Sequence, residues 1–252
     1  MAALVVAISG CSSSGKTTLA RLLRDIFPAS FILHEDDFYR PETELPSKDG
    51  LLDWDCAEAI DVEAMIAALA YVRQHAALPP TLESKEDRNA IGKCPVPDGA
   101  VATLKSRVAA SLPPADESVA VPRLCFLDGF LLYSPTTMAA LQPSLDLRLF
   151  VRASRARAKQ RREARCGYVT LEGFWEDPPG YVDAIVWPNY VAEHAWMFEG
   201  GDVEGAFRYD VLDQTGIRVL KDAPLDADMH LTLEWAVETI LEEMRKHAPS
   251  GS

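Results

Sequence analysis

Residues Gly10-Cys11-Ser12-Ser13-Ser14-Gly15-Lys16-Thr17 complete the pattern G-x-x-x-x-G-K-[ST] close to the start of the chain. No other feature restricts the possible folds as strongly. The pattern works only as a loop between a strand and a helix, where successive backbone N–H groups turn toward one anion. Its flanks agree. Ala3-Leu4-Val5-Val6-Ala7-Ile8 is wholly apolar, as a buried parallel strand is, and Thr17 to Arg24 has helical periodicity. Chance produces the pattern in roughly one chain in a hundred of this length, and the flanks make chance rarer still. The prediction is a triphosphate site. The loop from Gly10 to Thr18 would wrap the phosphates, Lys16 would reach the β- and γ-phosphates, and Thr17 would hold Mg²⁺.

Apolar strand candidates recur between helical stretches. They are Leu4 to Ser9, Ser30 to Leu33, Leu124 to Leu127 and Leu145 to Val151, with helical patterns over 16–26, 59–76, 153–165, 182–198 and 231–246. This alternation predicts an α/β fold, a central parallel sheet flanked by helices. The 252 residues, 48% of them hydrophobic, suffice for a single such domain over 1–247. Proline-rich residues 78–120 read as a surface insertion, partly mobile, with one short helix from Val101 to Leu112. Residues 248–252 read as a disordered tail.

Charge and cysteines narrow the function. Lys plus Arg number 25 against 38 Asp plus Glu, a formal net charge of -13. Such a chain repels nucleic acid and anionic membranes in bulk, so neither is expected as a partner. Cys11, Cys56, Cys94, Cys125 and Cys166 are scattered and odd in number, which fits free thiols in a reducing compartment and not a zinc site. No secretion signal or membrane span is expected. The cytoplasm is the expected location, with the nucleus open as well, and the expected state is a monomer or weak dimer.

In an open α/β sheet, ligands bind beyond the carboxyl ends of the strands. Three acids stand after the second strand, in His34-Glu35-Asp36-Asp37-Phe38-Tyr39. A kinase acting on a hydroxyl needs such a carboxylate to accept the proton. Asp36 is the first choice and Asp37 the second, although acids also cap turns. Asp128-Gly129-Phe130 ends the third strand in the arrangement that usually meets Mg²⁺. Seven basic residues, Arg152 to Arg165, crowd one stretch of this acidic chain, and a Gly/Pro loop follows them. Guanidinium groups suit phosphate oxygens, so 158–181 reads as a lid that closes over the transferring phosphate. A solvated basic helix face is the plainer alternative. Trp54-Asp55 suits a flat ring attached to a sugar, the ring stacking and the carboxylate accepting from hydroxyls. A lone Trp is more often a core residue.

These blocks together resemble the nicotinamide riboside kinases, the fungal ones especially. The resemblance rests on Gly10 to Thr18, His34 to Tyr39, Trp54-Asp55, Asp128-Gly129-Phe130 and Arg161 to Tyr168. Phe174-Trp175-Glu176-Asp177-Pro178-Pro179-Gly180-Tyr181, Asn189-Tyr190 and Gly201 to Gly205 add to it. It spans nearly the whole chain apart from about 78–120. What it implies is ATP- and Mg²⁺-dependent phosphorylation of the 5′-hydroxyl of nicotinamide riboside, with nicotinic acid riboside as a second substrate, for NAD synthesis by salvage. Asp36 would be the catalytic base near Mg²⁺, Thr17 and Asp128, with Lys16 and Arg162 assisting. Asp55 and Arg162 would hold the ribose hydroxyls, and Trp54 and Tyr168 would sandwich the pyridine ring. Asp37, Phe38, Tyr39 and Asp177 would face the substrate, and Arg161 and Arg165 the ATP phosphates. The adenine loop would lie near 213–228. Trp54 replaces the tyrosine common in animal members, and Cys166-Gly167 shifts the register before Tyr168. Uridine or cytidine kinase, and a regulatory P-loop ATPase, are the alternatives. The missing N-K-x-D motif counts against a GTPase switch.

Overall fold

A strand buried on both faces must be apolar along its whole length, and β1 (Ala3–Ser9) is buried at every position. The computed structural model describes residues 3–84, 94–113, 122–165, 167–169 and 173–247. After β1 come α1 (Lys16–Ile26), β2 (Ser30–His34), the short hairpin β3 (Ser47–Lys48) and β4 (Leu51–Leu52), α2 (Val62–His75) and α3 (Asp98–Ser111). Then follow β5 (Arg123–Asp128), β6 (Leu147–Phe150), α4 (Arg155–Glu163) and a second hairpin, β7 (Tyr168–Val169) with β8 (Phe174–Trp175). The chain closes with α5 (Trp187–His194), α6 (Tyr209–Thr215), β9 (Ile217–Val219) and α7 (Met229–His247).

Five strands form one parallel sheet in the order β2-β5-β1-β6-β9. Side chains alternate between its faces with period two. Leu4, Val6 and Ile8 pack with Leu19 and Leu23 of α1, Val108 of α3, and Leu233 and Ile240 of α7. Val5 and Ala7 face the other way, with Leu69 of α2, Trp187 of α5 and Leu212 of α6. β1 is central, and the chain leaves it with β5 on one side and β6 on the other. That split opens a crevice at the carboxyl ends, and the phosphate loop fills it.

Helix limits follow local chemistry. Asp61 begins α2 by accepting from the Ala64 N–H at 3.0 Å, and Ser154 begins α4 by accepting from Arg157 at 3.2 Å. The helical pattern at 182–198 is not one α-helix. A π-helical turn, Val182–Val186, precedes α5, because Pro188 has no N–H to donate. β9, α6 and both hairpins are too short to leave a periodic signal, and the sequence did not announce them.

The segment 78–120 is corrected in part. Its described helix α3 starts at Asp98 rather than Val101, and its Leu104 and Val108 are buried against α1 and α7. The helix therefore covers one face of the sheet core. Residues 85–93 and 114–121 lie outside the described residues, as do Cys166 and the tail 248–252.

Strand register places the acids. His34 and Ile8 both sit opposite Asp128, so three strands end level. Glu35, wholly buried, accepts from the Phe130 N–H at 2.6 Å and the Leu131 N–H at 3.3 Å. It thereby fixes the turn after β5. A Cβ at Gly129 would lie 2.7 Å from the Glu35 Oε2, so the turn admits only glycine. Burial, with Asp36 beside it, pushes the Glu35 carboxyl up to about 8. A carboxyl raised by folding favours the native state less as pH climbs from the unfolded value, 4.5, to the folded one. Glu35→Gln keeps the acceptor and removes the titration. Wild type should lose stability relative to Glu35→Gln across that window, read as urea midpoints in a pH series.

Candidate active site

The phosphate loop is built by close approach. Gly10 has φ +148°, and a Cβ there would overlap the Val151 carbonyl oxygen. The loop then turns on a Ser14 N–H to Cys11 carbonyl bond of 3.1 Å and enters α1 at Lys16. Lys16 is 7% exposed, and its ammonium donates to the Cys11 carbonyl at 2.9 Å. The buried hydroxyls of Ser13 and Ser14 have no hydrogen-bond partner among the described residues. Orphaned donors and a buried cation at a helix N-terminus suit a polyphosphate. Gly10 and Cys11 shape this loop, Thr18 sits in the first turn of α1, and none of the three lines either of the two clefts described below. Burial pushes the Cys11 thiol up to about 11, so it stays protonated. Cys11, Cys56, Cys94 and Cys125 are free thiols.

The main cleft opens beside the loop, and its mixed polar and aromatic lining suits a small molecule. Ser12, Ser13, Lys16, Thr17, Asp36 and Asp128 line its phosphate end. His34 Nδ1 lies 3.2 Å from Asp128 Oδ2. Burial alone would raise the Asp128 carboxyl, but His34, Lys16 and a bond from Thr17 hold it below the usual carboxylate range. No group of three His, Cys, Asp or Glu among the described residues could hold a metal alone. A hydroxyl and two carboxylates around a polyphosphate site are nonetheless the hard-oxygen set that Mg²⁺ takes, with phosphates and waters completing it. Asp37 and Phe38 line neither cleft. Phe38 is buried in the core with Ile60 and Leu127, so its expected place against substrate is corrected.

Arg162 joins the two ends of the cleft. It is 7% exposed, and its Nη1 and Nη2 meet Asp55 Oδ1 and Oδ2 at 2.6 and 2.9 Å. Nε and Nη2 meet Asp177 at 2.6 and 3.1 Å, and Nη1 also donates to Ser12 Oγ at 2.9 Å. Burial opposes the charge, yet Asp55, Tyr168 and Asp177 hold the guanidinium protonated well above its usual value. Asp55 is held in its turn. Asn189 donates to both Asp53 oxygens, at 2.9 and 2.8 Å, and to the Asp55 carbonyl at 3.2 Å. The Tyr181 hydroxyl accepts from the Trp54 N–H and donates to the Leu52 carbonyl, both at 3.0 Å. Sequence reasoning gives Asp53, Tyr181 and Asn189 no role. The D-x-D spacing of Asp53 and Asp55 is the available signal.

Aromatic rings wall the far end. Trp54, 5% exposed, meets Tyr39 edge-on at 5.3 Å and Trp175 at 5.6 Å. Tyr168 pairs across the lid hairpin with Trp175. Its ring lies 5.2 Å from the guanidinium carbons of both Arg162 and Arg165.

The basic helix α4 serves three directions. Arg155 and Lys159 pair with Asp183, Arg162 lines the main cleft together with Arg165 just beyond the helix, and Arg157 and Arg161 line a second. Arg161 donates to the Ser13 and Ser14 carbonyls at 3.2 Å. The second cleft lies across Ser14 and Gly15 from the first and is floored by 219–227. Asp226 pins that floor by accepting from the Ser154 N–H and hydroxyl, each at 2.8 Å.

Comparison with known proteins gives the same family. The nicotinamide riboside kinase of Schizosaccharomyces pombe is 36% identical over 242 residues, covering 96% of this chain and 98% of that protein. That of Saccharomyces cerevisiae is 34% identical over 244 residues, covering 95% and 96%. That of Eremothecium gossypii is 36% identical over 203 residues, covering 80% of each. No family model matches. With identity of this order across most of its length, the chain belongs to the nicotinamide riboside kinases.

Proposed function

We propose that the protein transfers the γ-phosphoryl group of ATP to the 5′-hydroxyl of nicotinamide riboside, and of nicotinic acid riboside, giving the mononucleotide for NAD synthesis by salvage. One observation carries this reading. Arg162 bonds at once to the phosphate loop through Ser12 and to the ring-and-sugar end through Asp55. Phosphate donor and sugar acceptor thus share one desolvated guanidinium.

The residues divide the work. Asp36, which lines the same cleft as Lys16, accepts the proton of the 5′-hydroxyl as its oxygen attacks the γ-phosphorus. The bond to the bridging oxygen breaks and ADP leaves. Lys16 and Arg162 stabilise the charge spread over the transferring group. Asp55 accepts from the ribose hydroxyls, and the aromatic end takes the pyridine ring. Thr17, Asp36 and Asp128 would hold Mg²⁺, which supplies charge neutralisation between the phosphates. Adenosine would occupy the second cleft, against 219–227 and Arg157. The acidic chain favours a cationic substrate. Free thiols fit a cytoplasmic setting, and we read the working unit as a monomer or weak dimer.

A panel of nicotinamide riboside, nicotinic acid riboside, uridine and cytidine, with ATP and Mg²⁺, tests the assignment. The pyridine ribosides should exceed the pyrimidine ones in kcat/KM. Faster turnover of uridine or cytidine would make this a pyrimidine nucleoside kinase, and ATP consumption indifferent to any acceptor would make it a regulatory ATPase. Asp36→Asn should lower kcat at least about 100-fold with an unchanged melting temperature. An active Asp36→Asn enzyme would reject Asp36 as the base. Arg162→Ala leaves Asp55 and Asp177 buried without their cation. It should destabilise the fold by about 3–5 kcal/mol. Arg162→Lys should not restore activity, because an ammonium cannot meet two carboxylates side by side. Thermal melts and riboside KM values read both variants.

A further inference from the structure

We infer that Asp226 is a positioning residue. From the floor of the second cleft it sets the short helix that carries Arg161 and Arg162, so that nucleotide in that cleft tightens the site for the riboside. The inference rests on the reading that puts adenosine in the second cleft and the riboside in the main one.

Asp226 lies between β9 and α7, half-buried, and lines the second cleft with Ala223, Pro224, Leu225 and Ala227. Its carboxylate reaches Ser154, 72 residues away in the chain. Oδ1 accepts from the Ser154 N–H and Oδ2 from the Ser154 hydroxyl, each at 2.8 Å. A hydroxyl has one proton. Given to Asp226, that proton leaves the Ser154 oxygen free to accept from the Arg157 N–H, the 3.2 Å bond that starts α4. The cap of α4 is therefore oriented from the cleft floor. The carboxylate also suits the positive end of the helix.

α4 is nine residues long, about 14 Å, and Arg161 and Arg162 stand in its last turn. Over so short a rod, what fixes the first turn fixes the direction of the last. Arg157 and Arg161, four apart, share the face toward the second cleft, where Arg161 bonds the Ser13 and Ser14 carbonyls. Arg162, one residue on, turns to Asp55 and Ser12. α4 has other tethers, from the Arg155 N–H to Glu204 and from Arg155 and Lys159 to Asp183, but these line neither cleft. Asp226 is the tether that a bound nucleotide meets. A nucleoside seated against 223–227 steadies the backbone that carries Asp226, hence the cap, the helix and both arginines. The riboside then meets an Arg162 already set, and less of its binding energy goes into ordering it.

Titration calorimetry of nicotinamide riboside, alone and with Mg²⁺ and a saturating β,γ-imido analogue of ATP, tests this. The proteins are wild type, Asp226→Asn, Ser154→Ala and Ser154→Thr. The analogue should tighten riboside binding to wild type about tenfold. In Asp226→Asn, which offers one acceptor oxygen in place of two, and in Ser154→Ala, the tightening should fall below about twofold. Their riboside Kd without nucleotide should stay within about threefold of wild type. Ser154→Thr keeps the hydroxyl and should keep the tightening. A merely structural loss would weaken riboside binding equally with and without the analogue, and that result would overturn the inference. So would no tightening in wild type, full tightening in Asp226→Asn or Ser154→Ala, or equal loss in Ser154→Thr and Ser154→Ala. Ala223→Trp, which fills the second cleft, should abolish analogue binding. Normal analogue binding there would reject the placement of adenosine, and riboside that fails to bind wild type under either condition would reject the proposed function. Each of these two results removes the inference with the reading beneath it, whereas absent tightening overturns the inference alone.

Discussion

The buried guanidinium of Arg162 holds the two halves of the site together. A cation 7% exposed is stable only if carboxylates surround it, and Asp55 and Asp177 do so from two directions. Those carboxylates must themselves be placed. Asn189 and Tyr181 hold the segment that carries Asp55, and Trp175 bonds Asp177. The segments carrying Asp177 and Asp55, and α5 behind the latter, are therefore fastened around one side chain. Its remaining N–H capacity reaches Ser12 of the phosphate loop. The charge that would stabilise phosphoryl transfer is thus also the charge that organises the binding wall.

The sheet supplies the frame for this arrangement. Parallel strands bring their carboxyl ends to one edge, and the register levels Ile8, His34 and Asp128 there. The loop after β1, the acids after β2 and the acid ending β5 converge without any long connection. Glu35 strengthens that edge from below by bonding the backbone after Asp128. Acids beside a braced turn and a hairpin tied down through a salt-bridged arginine thus face each other across one cleft.

Much of this arrangement is legible in the order of residues. Gly10 to Thr17, Asp36 and Asp128 can be located because each follows an apolar strand, and strand ends are where such sheets bind ligands. The basic cluster is legible too, but it does not say which arginine points where. Arg155 turns to Asp183, Arg161 to the loop carbonyls and Arg162 to Asp55. Phe38 misleads because it sits inside a motif. Motif membership places a residue near a site, while burial with Ile60 and Leu127 makes it core.

Local devices follow from the residue order alone: a glycine loop whose conformation few residues tolerate, strands apolar along their length, and acids at their ends. These are contiguous patterns, and backbone sterics and periodicity translate them directly into structure. Pairings across distance are settled by the folded arrangement and by nothing shorter. Asp55 meets an arginine 107 residues away, and Trp54 meets Trp175 through a hairpin too short to show in the pattern. Packing likewise makes helix α3, within a stretch that reads as a surface insertion, a cover for the core. The physical reason is the same in each case. Contacts between remote segments depend on how helices and hairpins pack, and packing leaves no periodic trace in either partner alone.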